Sequence, residues 1–78
     1  MSELEFETLS LVRRGSGTIS HQQLDRAVIR RGYAGGGELL RAVRALESAG
    51  LIGFSEQNAG VYFLTEQGEA YLRQAAAS

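Results

Sequence analysis

Apolar positions change their period several times along the chain, and the changes divide it into seven short elements. From Glu3 to Arg14, Leu4, Phe6, Leu9, Leu11 and Val12 recur at near-helical spacing and predict a first helix. Glu3, Glu5 and Glu7 sit near its start and Arg13 and Arg14 in its last turn, matching the helix dipole at both ends. "GSG" then stops it, and the β-branched Ile19 in "TI" suits a strand of a single bridge. Ser20 and Gln23 have the spacing of a capping box, in which each side chain serves the other's backbone amide. They open a second helix with Leu24, Ala27, Val28 and the stem of Arg31 on its inner face, closed by "RRG". A third helix is expected over Glu38 to Ala49, with Leu39, Leu40, Val43 and Leu46 as one inward stripe and Gly50 as its stop. The period then falls to two. "LIGFSE" and "GVYFLT", separated by "QNA", predict a hairpin turned by Asn58 and Gly60, with Val61 and Phe63 on one face and Tyr62 and Leu64 on the other. Thr65 looks like the cap of a fourth helix, "EQGEAYLRQAAA", anchored by Tyr71 and Leu72. Gly68 in its first turn weakens that helix, so close backbone packing is the expected reason for it.

The order helix, short strand, helix, helix, hairpin, helix is the plan of a winged helix-turn-helix domain, α+β but mainly α, with the hairpin as the wing. At 78 residues the chain is one domain, 1–78.

Two segments carry a family resemblance. "ELLRAVRALESAGLIGF" resembles the recognition-helix segment of PadR-like and MarR-like transcriptional regulators, through Leu39, Arg41, Ala42, Val43, Leu46, Glu47, Gly50, Leu51 and Ile52. "GVYFLTEQGEAYL" is similar to the second wing strand and following turn of the same families, through Tyr62, Leu64, Thr65 and Gly68. The resemblance covers roughly half the chain and implies a dimeric DNA-binding regulator that docks helix 38–49 in the major groove. The sequence departs from the family pattern at four places. Gly35, Gly36 and Gly37 replace a polar turn, Glu38 stands where a short polar residue is usual, "SEQNAG" puts no cation on the wing, and the C-terminal helix is short.

On the third helix, Arg41, Ala45 and Ser48 are expected on the outer face with Glu38 and Ala42 nearby and Arg44 toward one edge. If that face enters a groove, Arg41 is the base reader, because a guanidinium pairs bidentately with guanine. The competing use of these residues is a solvated face with Glu38–Arg41 and Arg44–Glu47 ion pairs. Arg30 and Arg31 sit where a phosphate backbone would pass. As cations ending a helix they also serve the dipole, as Arg13 and Arg14 do. The DNA-contacting set is therefore Arg41, Arg44, Arg30 and Arg31, with Glu38 and Ala45 on the same helix face.

Charge moderates this picture. All eight cations are arginine, yet the net charge is −1 and the pI about 5.7, whereas DNA-binding domains are usually basic. A second function class therefore stays open: a winged-helix module or adaptor that binds a protein partner. A monomer with few phosphate contacts binds weakly, so specific recognition implies a homodimer, with the first helix (Phe6, Leu9) and the fourth (Tyr71, Leu72, Ala75, Ala76) as its candidate interface.

Other chemistry finds no support in the residues. There is no cysteine, and His21, expected exposed, has no second histidine or carboxylate pair at ligand spacing. The glycine triplet lacks the Gly-Lys-Ser/Thr of a phosphate-binding loop and reads as a slack turn over Gly32 to Gly37. No serine has a histidine and carboxylate arranged around it. The expectation is a non-enzyme with no cofactor and no metal. No apolar run reaches membrane-spanning length, and the acidic "MSELEFE" start is unlike a signal peptide, so a cytoplasmic protein is expected.

Overall fold

Two capping boxes set the starts of the first two helices. The computed structural model describes residues 1–56 and 60–77. Ahead of α1 (Glu3–Arg14), the Ser2 hydroxyl accepts from the Glu5 amide at 3.2 Å, and Glu5 Oε1 accepts from the Ser2 amide at 2.8 Å. Ser20 and Gln23 repeat the arrangement, at 3.2 and 2.9 Å, ahead of α2 (His21–Arg30). Between these helices lies β1 (Ile19–Ser20), and after them come α3 (Gly37–Ser48), β2 (Ile52–Ser55), β3 (Val61–Leu64) and α4 (Glu66–Ala77). The fold is thus mainly helical, with four helices and one three-stranded sheet.

The sheet is antiparallel in the order β1-β3-β2. The expected single bridge at Ile19 is a two-residue ladder, Ile19 opposite Tyr62 and Ser20 opposite Val61. Across the hairpin, Phe54 faces Tyr62, and Gly53 faces Phe63, whose ring lies over the glycine where a side chain would otherwise stand. Gly60 adopts the expected left-handed backbone, with φ of 70°; Asn58 lies outside the described residues.

α1 is the element against which both α2 and α3 pack, and it also touches β3. Leu9 and Val12 of α1, Leu24 and Val28 of α2, and Leu39, Val43 and Leu46 of α3 are essentially inaccessible to solvent. Thr8 is equally buried. Its hydroxyl donates to the Leu4 carbonyl at 2.7 Å, and among the described residues no buried side-chain nitrogen or oxygen lacks a partner. On α3 the inward stripe differs from the expected one: Leu40 is 41 % exposed, and Ala42 takes its place in the core at 5 %. At about 100° per residue, Leu39, Ala42, Val43 and Leu46 span the narrower arc. Ala42 lies beside the start of α1, where it lines a depression with Ser2, Leu4 and Glu5. On α4, Leu72 is buried but Tyr71 is 36 % exposed, so only one of the two expected anchors enters the core.

α2 and α3 end alike. After α2, Gly32 (φ 90°) donates to the Ile29 carbonyl and Tyr33 to that of Val28. After α3, Gly50 (φ 76°) donates to Glu47 and Leu51 to Leu46. Both are Schellman stops, with an apolar residue folded back over the last turn. The second stop is fastened to α4. Thr65 Oγ1 donates to the Gly50 carbonyl at 2.6 Å and accepts from the Gly68 amide at 3.0 Å, while the Thr65 amide donates to the Leu51 carbonyl at 3.2 Å. Gly68 is present because a Cβ there would lie 2.2 Å from the Leu51 carbonyl oxygen. Among the described residues no helix is long and apolar enough to cross a membrane.

Two outcomes follow from these contacts. Gly68→Ala forces a methyl against a backbone atom that cannot rotate away, so urea denaturation should show a loss of about 1–3 kcal/mol at an unchanged slope; equal midpoints would remove this explanation of the glycine. Hydrogen bonds from the Ser2 amide and hydroxyl hold the Glu5 carboxyl below its ordinary value of 4.5. Because the folded value is the lower one, the cap is intact above 4.5 and is lost as pH falls through the folded value. Amide shifts of Ser2 and Glu5, followed by NMR, should report a Glu5 titration below that of Glu5 in a Ser2→Ala variant.

Candidate nucleic-acid interface

The connection from α2 to α3 decides how the exposed face of α3 is held. Expected as slack, it is tied at its centre by one carboxylate: Asp25 Oδ1 of α2 accepts from the Gly36 amide at 2.8 Å. A Cβ on Gly35 would fall 2.4 Å from that same oxygen and 2.9 Å from the Ile29 Cδ1. Gly36, at φ 61° and ψ −126°, is the N-cap of α3 and supplies no side-chain cap. The glycines therefore let the backbone wrap closely around Asp25, and the turn gains from that contact the definition that its composition alone would deny it.

With the buried arc of α3 fixed by Leu39, Ala42, Val43 and Leu46, helical geometry sets Arg41, Arg44 and Ser48 on the opposite line, facing solvent. Arg44 is thus central on this face, where an edge position was expected, and Ala45 moves to the edge beside α1. There Ala45, Ala42, Arg41 and Glu38 share a shallow depression with Ser2, Leu4 and Glu5. Glu38 Oε1 approaches Arg41 Nη1 only to 3.9 Å, with both side chains well exposed, so the pair leaves Arg41 free to turn outward. The expected Arg44–Glu47 pair is absent among the described residues. Leu40, exposed, flanks the arginines on the other edge.

The two arginines that end α2 part company. Arg31 turns back to α1 and pairs with Glu7, which withdraws it from the expected phosphate-contacting role. Its position in the chain gave no sign of this, because Glu7 lies 24 residues away. Arg30 is exposed and, among the described residues, has no ion pair. Arg26, one turn earlier on the same outer face, is also exposed and, among the described residues, forms no ion pair. Sequence reasoning passed over it, although its i, i+4 spacing to Arg30 was the available signal. Arg13, at the end of α1, reaches Glu69 of α4 at 3.7 Å.

His21, expected in solvent, is half-buried: its Nδ1 lies 2.9 Å from the Tyr62 hydroxyl. The pairing of Ile19 and Ser20 with Tyr62 and Val61 accounts for this, since it brings the first residue of α2 beside β3. Burial pushes the Tyr62 phenol up, with a smaller push from the charge of Glu47. Phe54 completes the cluster, its ring 5.1 Å from that of Tyr62. This aromatic group braces the sheet against the start of α2. Among the described residues, no three acidic or histidine side chains are arranged to hold a metal ion.

No protein-family model, curated protein or solved structure matches the chain.

The Asp25 contact predicts a graded response. Asp25→Ala should lower stability by about 1 kcal/mol and speed hydrogen exchange at the Gly36 amide, while Asp25→Asn, which keeps an acceptor oxygen, should largely preserve both. Equal Gly36 exchange in the wild type and the alanine variant would mean that the carboxylate does not hold the turn.

Proposed function

We propose that the chain is a small winged helix-turn-helix DNA-binding protein, a cytoplasmic transcriptional regulator of the kind its PadR-like and MarR-like segments resemble. In this reading α3 docks in the major groove. The observation that carries it is the line of Arg41, Arg44 and Ser48 along the solvent face of a helix whose N-terminal turn is tied and whose C-terminal end is fastened to α4. Two guanidiniums at i, i+3 on one face suit bidentate pairing with successive guanines. Ala45 at the edge offers a methyl to thymine, and Glu38 an acceptor to cytosine while repelling phosphate. Specificity then needs two copies, with α3 helices about 34 Å apart. A protomer 31 Å in its longest dimension is of the size that a side-by-side dimer requires. The faces available for it are the α1 and α4 surfaces, where Phe6, Tyr71 and Met1 are exposed and, with Tyr33, line one shallow groove.

A second reading has an observation of its own. Glu5, Glu38 and Glu47 surround the α3 arginines, and Leu40, Phe54 and Phe63 are exposed, which suits a protein partner better than phosphate. The chain would then be a winged-helix interaction module.

Anisotropy titrations with random and GC-rich duplexes at low and moderate salt separate the two. Groove docking predicts that Arg41→Ala and Arg44→Ala each weaken binding to the preferred duplex by about 1–3 kcal/mol and flatten its preference over random sequence. Absence of any chemical-shift change on α3 with duplex at low salt would end this reading in favour of the interaction module.

A further inference from the structure

The net charge of −1 conceals a strong segregation. Between Thr8 and Gly37 the chain has five arginines and one acid, Asp25; the rest has three arginines and eight glutamates. The one acid is engaged, since Asp25 turns to the Gly36 amide. Two of the five arginines are also engaged, Arg13 with Glu69 and Arg31 with Glu7. The remaining three, Arg14, Arg26 and Arg30, are exposed and, among the described residues, form no ion pair.

These three lie on one continuous surface. Arg14 borders a depression at the end of α1 with Gly15, Thr18, Ile19 and Gln23. Gln23 also borders the next depression, along the outer face of α2, with Arg26, Ala27 and Arg30. No acidic side chain lines either one. Gln23 is oriented by its cap: its Oε1 accepts from the Ser20 amide, which leaves its amide hydrogens as donors on this surface. Three guanidiniums and a carboxamide with no competing acid form a donor-only stripe. The face of α3, by contrast, holds its two arginines among glutamates.

We infer that the stripe Arg14–Gln23–Arg26–Arg30 is the surface that holds a phosphodiester backbone of duplex DNA. The sequence-independent, salt-dependent part of the affinity resides there, and α3 contributes the part that depends on base sequence. The inference rests on the DNA-binding reading and goes beyond it, assigning to α1 and α2 the electrostatic term that the acidic overall composition makes hard to find elsewhere.

Each arginine that neutralises a phosphate steepens the fall of log K with log salt by about 0.9. Wild type, Arg26→Gln/Arg30→Gln, Arg41→Gln/Arg44→Gln and the control Arg73→Gln are titrated with one duplex across a salt series. Arg73 is exposed on α4 and, among the described residues, forms no ion pair, so it reports the effect of net charge alone. The expected result is a slope flatter by about 1.8 for the α2 pair, with little change for the α3 pair and for Arg73→Gln. Adding Arg14→Gln to the α2 pair should flatten it by about 0.9 more. An unchanged slope in the α2 pair, with binding lost in the α3 pair, overturns this inference and leaves groove docking standing. Equal flattening by Arg73→Gln also overturns it, as a general charge effect. A flattened slope with no loss of sequence preference in the α3 pair supports the stripe and overturns groove docking. Failure of the wild type to bind any duplex at low salt removes both.

Discussion

Burial of Leu9 and Val12 on one helix is the constraint from which the other contacts follow. α1 packs against α2 and α3 and also meets β3, and its Leu9 and Val12, both inaccessible, belong to the one cluster that gathers side chains from α2, α3, β2, β3 and α4. A domain this short has little apolar surface to spare. It meets the need by having one helix serve as the common wall. Where α3 faces the start of α1 it presents the small Ala42, which lines a depression with Ser2, Leu4 and Glu5. With Ala42 on the buried arc, α3 is rotated so that Leu40 lies at one exposed edge and Arg41 and Arg44 lie opposite the arc. What the outer face of α3 presents is thus a consequence of what its inner face can fit.

Much of this was legible in the chain. Helix bounds, the Ser20–Gln23 cap, the hairpin strands and the packing role of Gly68 follow from periods and local chemistry, which act over a few residues. The contacts that escaped are those whose partners lie far apart in sequence. Arg31 looked like a free cation because Glu7 is 24 positions away. His21 looked solvated because the Tyr62 hydroxyl comes from β3, 41 positions away. The glycine turn looked slack because its tie, Asp25, belongs to the preceding helix. Leu40 illustrates a different limit. Hydrophobicity ranks it above Ala42 as a core residue, and only the direction from which α1 approaches reverses the order.

Electrostatics shows the same contrast between a sum and its distribution. A pI of about 5.7 describes the chain as an acid, yet the charges of either sign occupy different regions, and interactions between exposed charges fade over about 10 Å in ordinary salt. Each surface therefore acts on a partner with its own local charge. The acids at the start of α1 and around α3 discourage close approach of phosphate there, whereas among the described residues no acid lines the depressions beside Arg14 and along the outer face of α2.

The clasp at Thr65 couples two elements that share few other contacts. Its hydroxyl and amide grip the Gly50 and Leu51 carbonyls just past the end of α3, while the Gly68 amide closes the same hydroxyl onto the first turn of α4. Hydrogen bonds of 2.6 to 3.2 Å transmit displacement with little slack. α3 and α4 are thereby joined twice, by these hydrogen bonds at the surface and by Leu72, which α4 contributes to the core that holds Leu39, Val43 and Leu46 of α3.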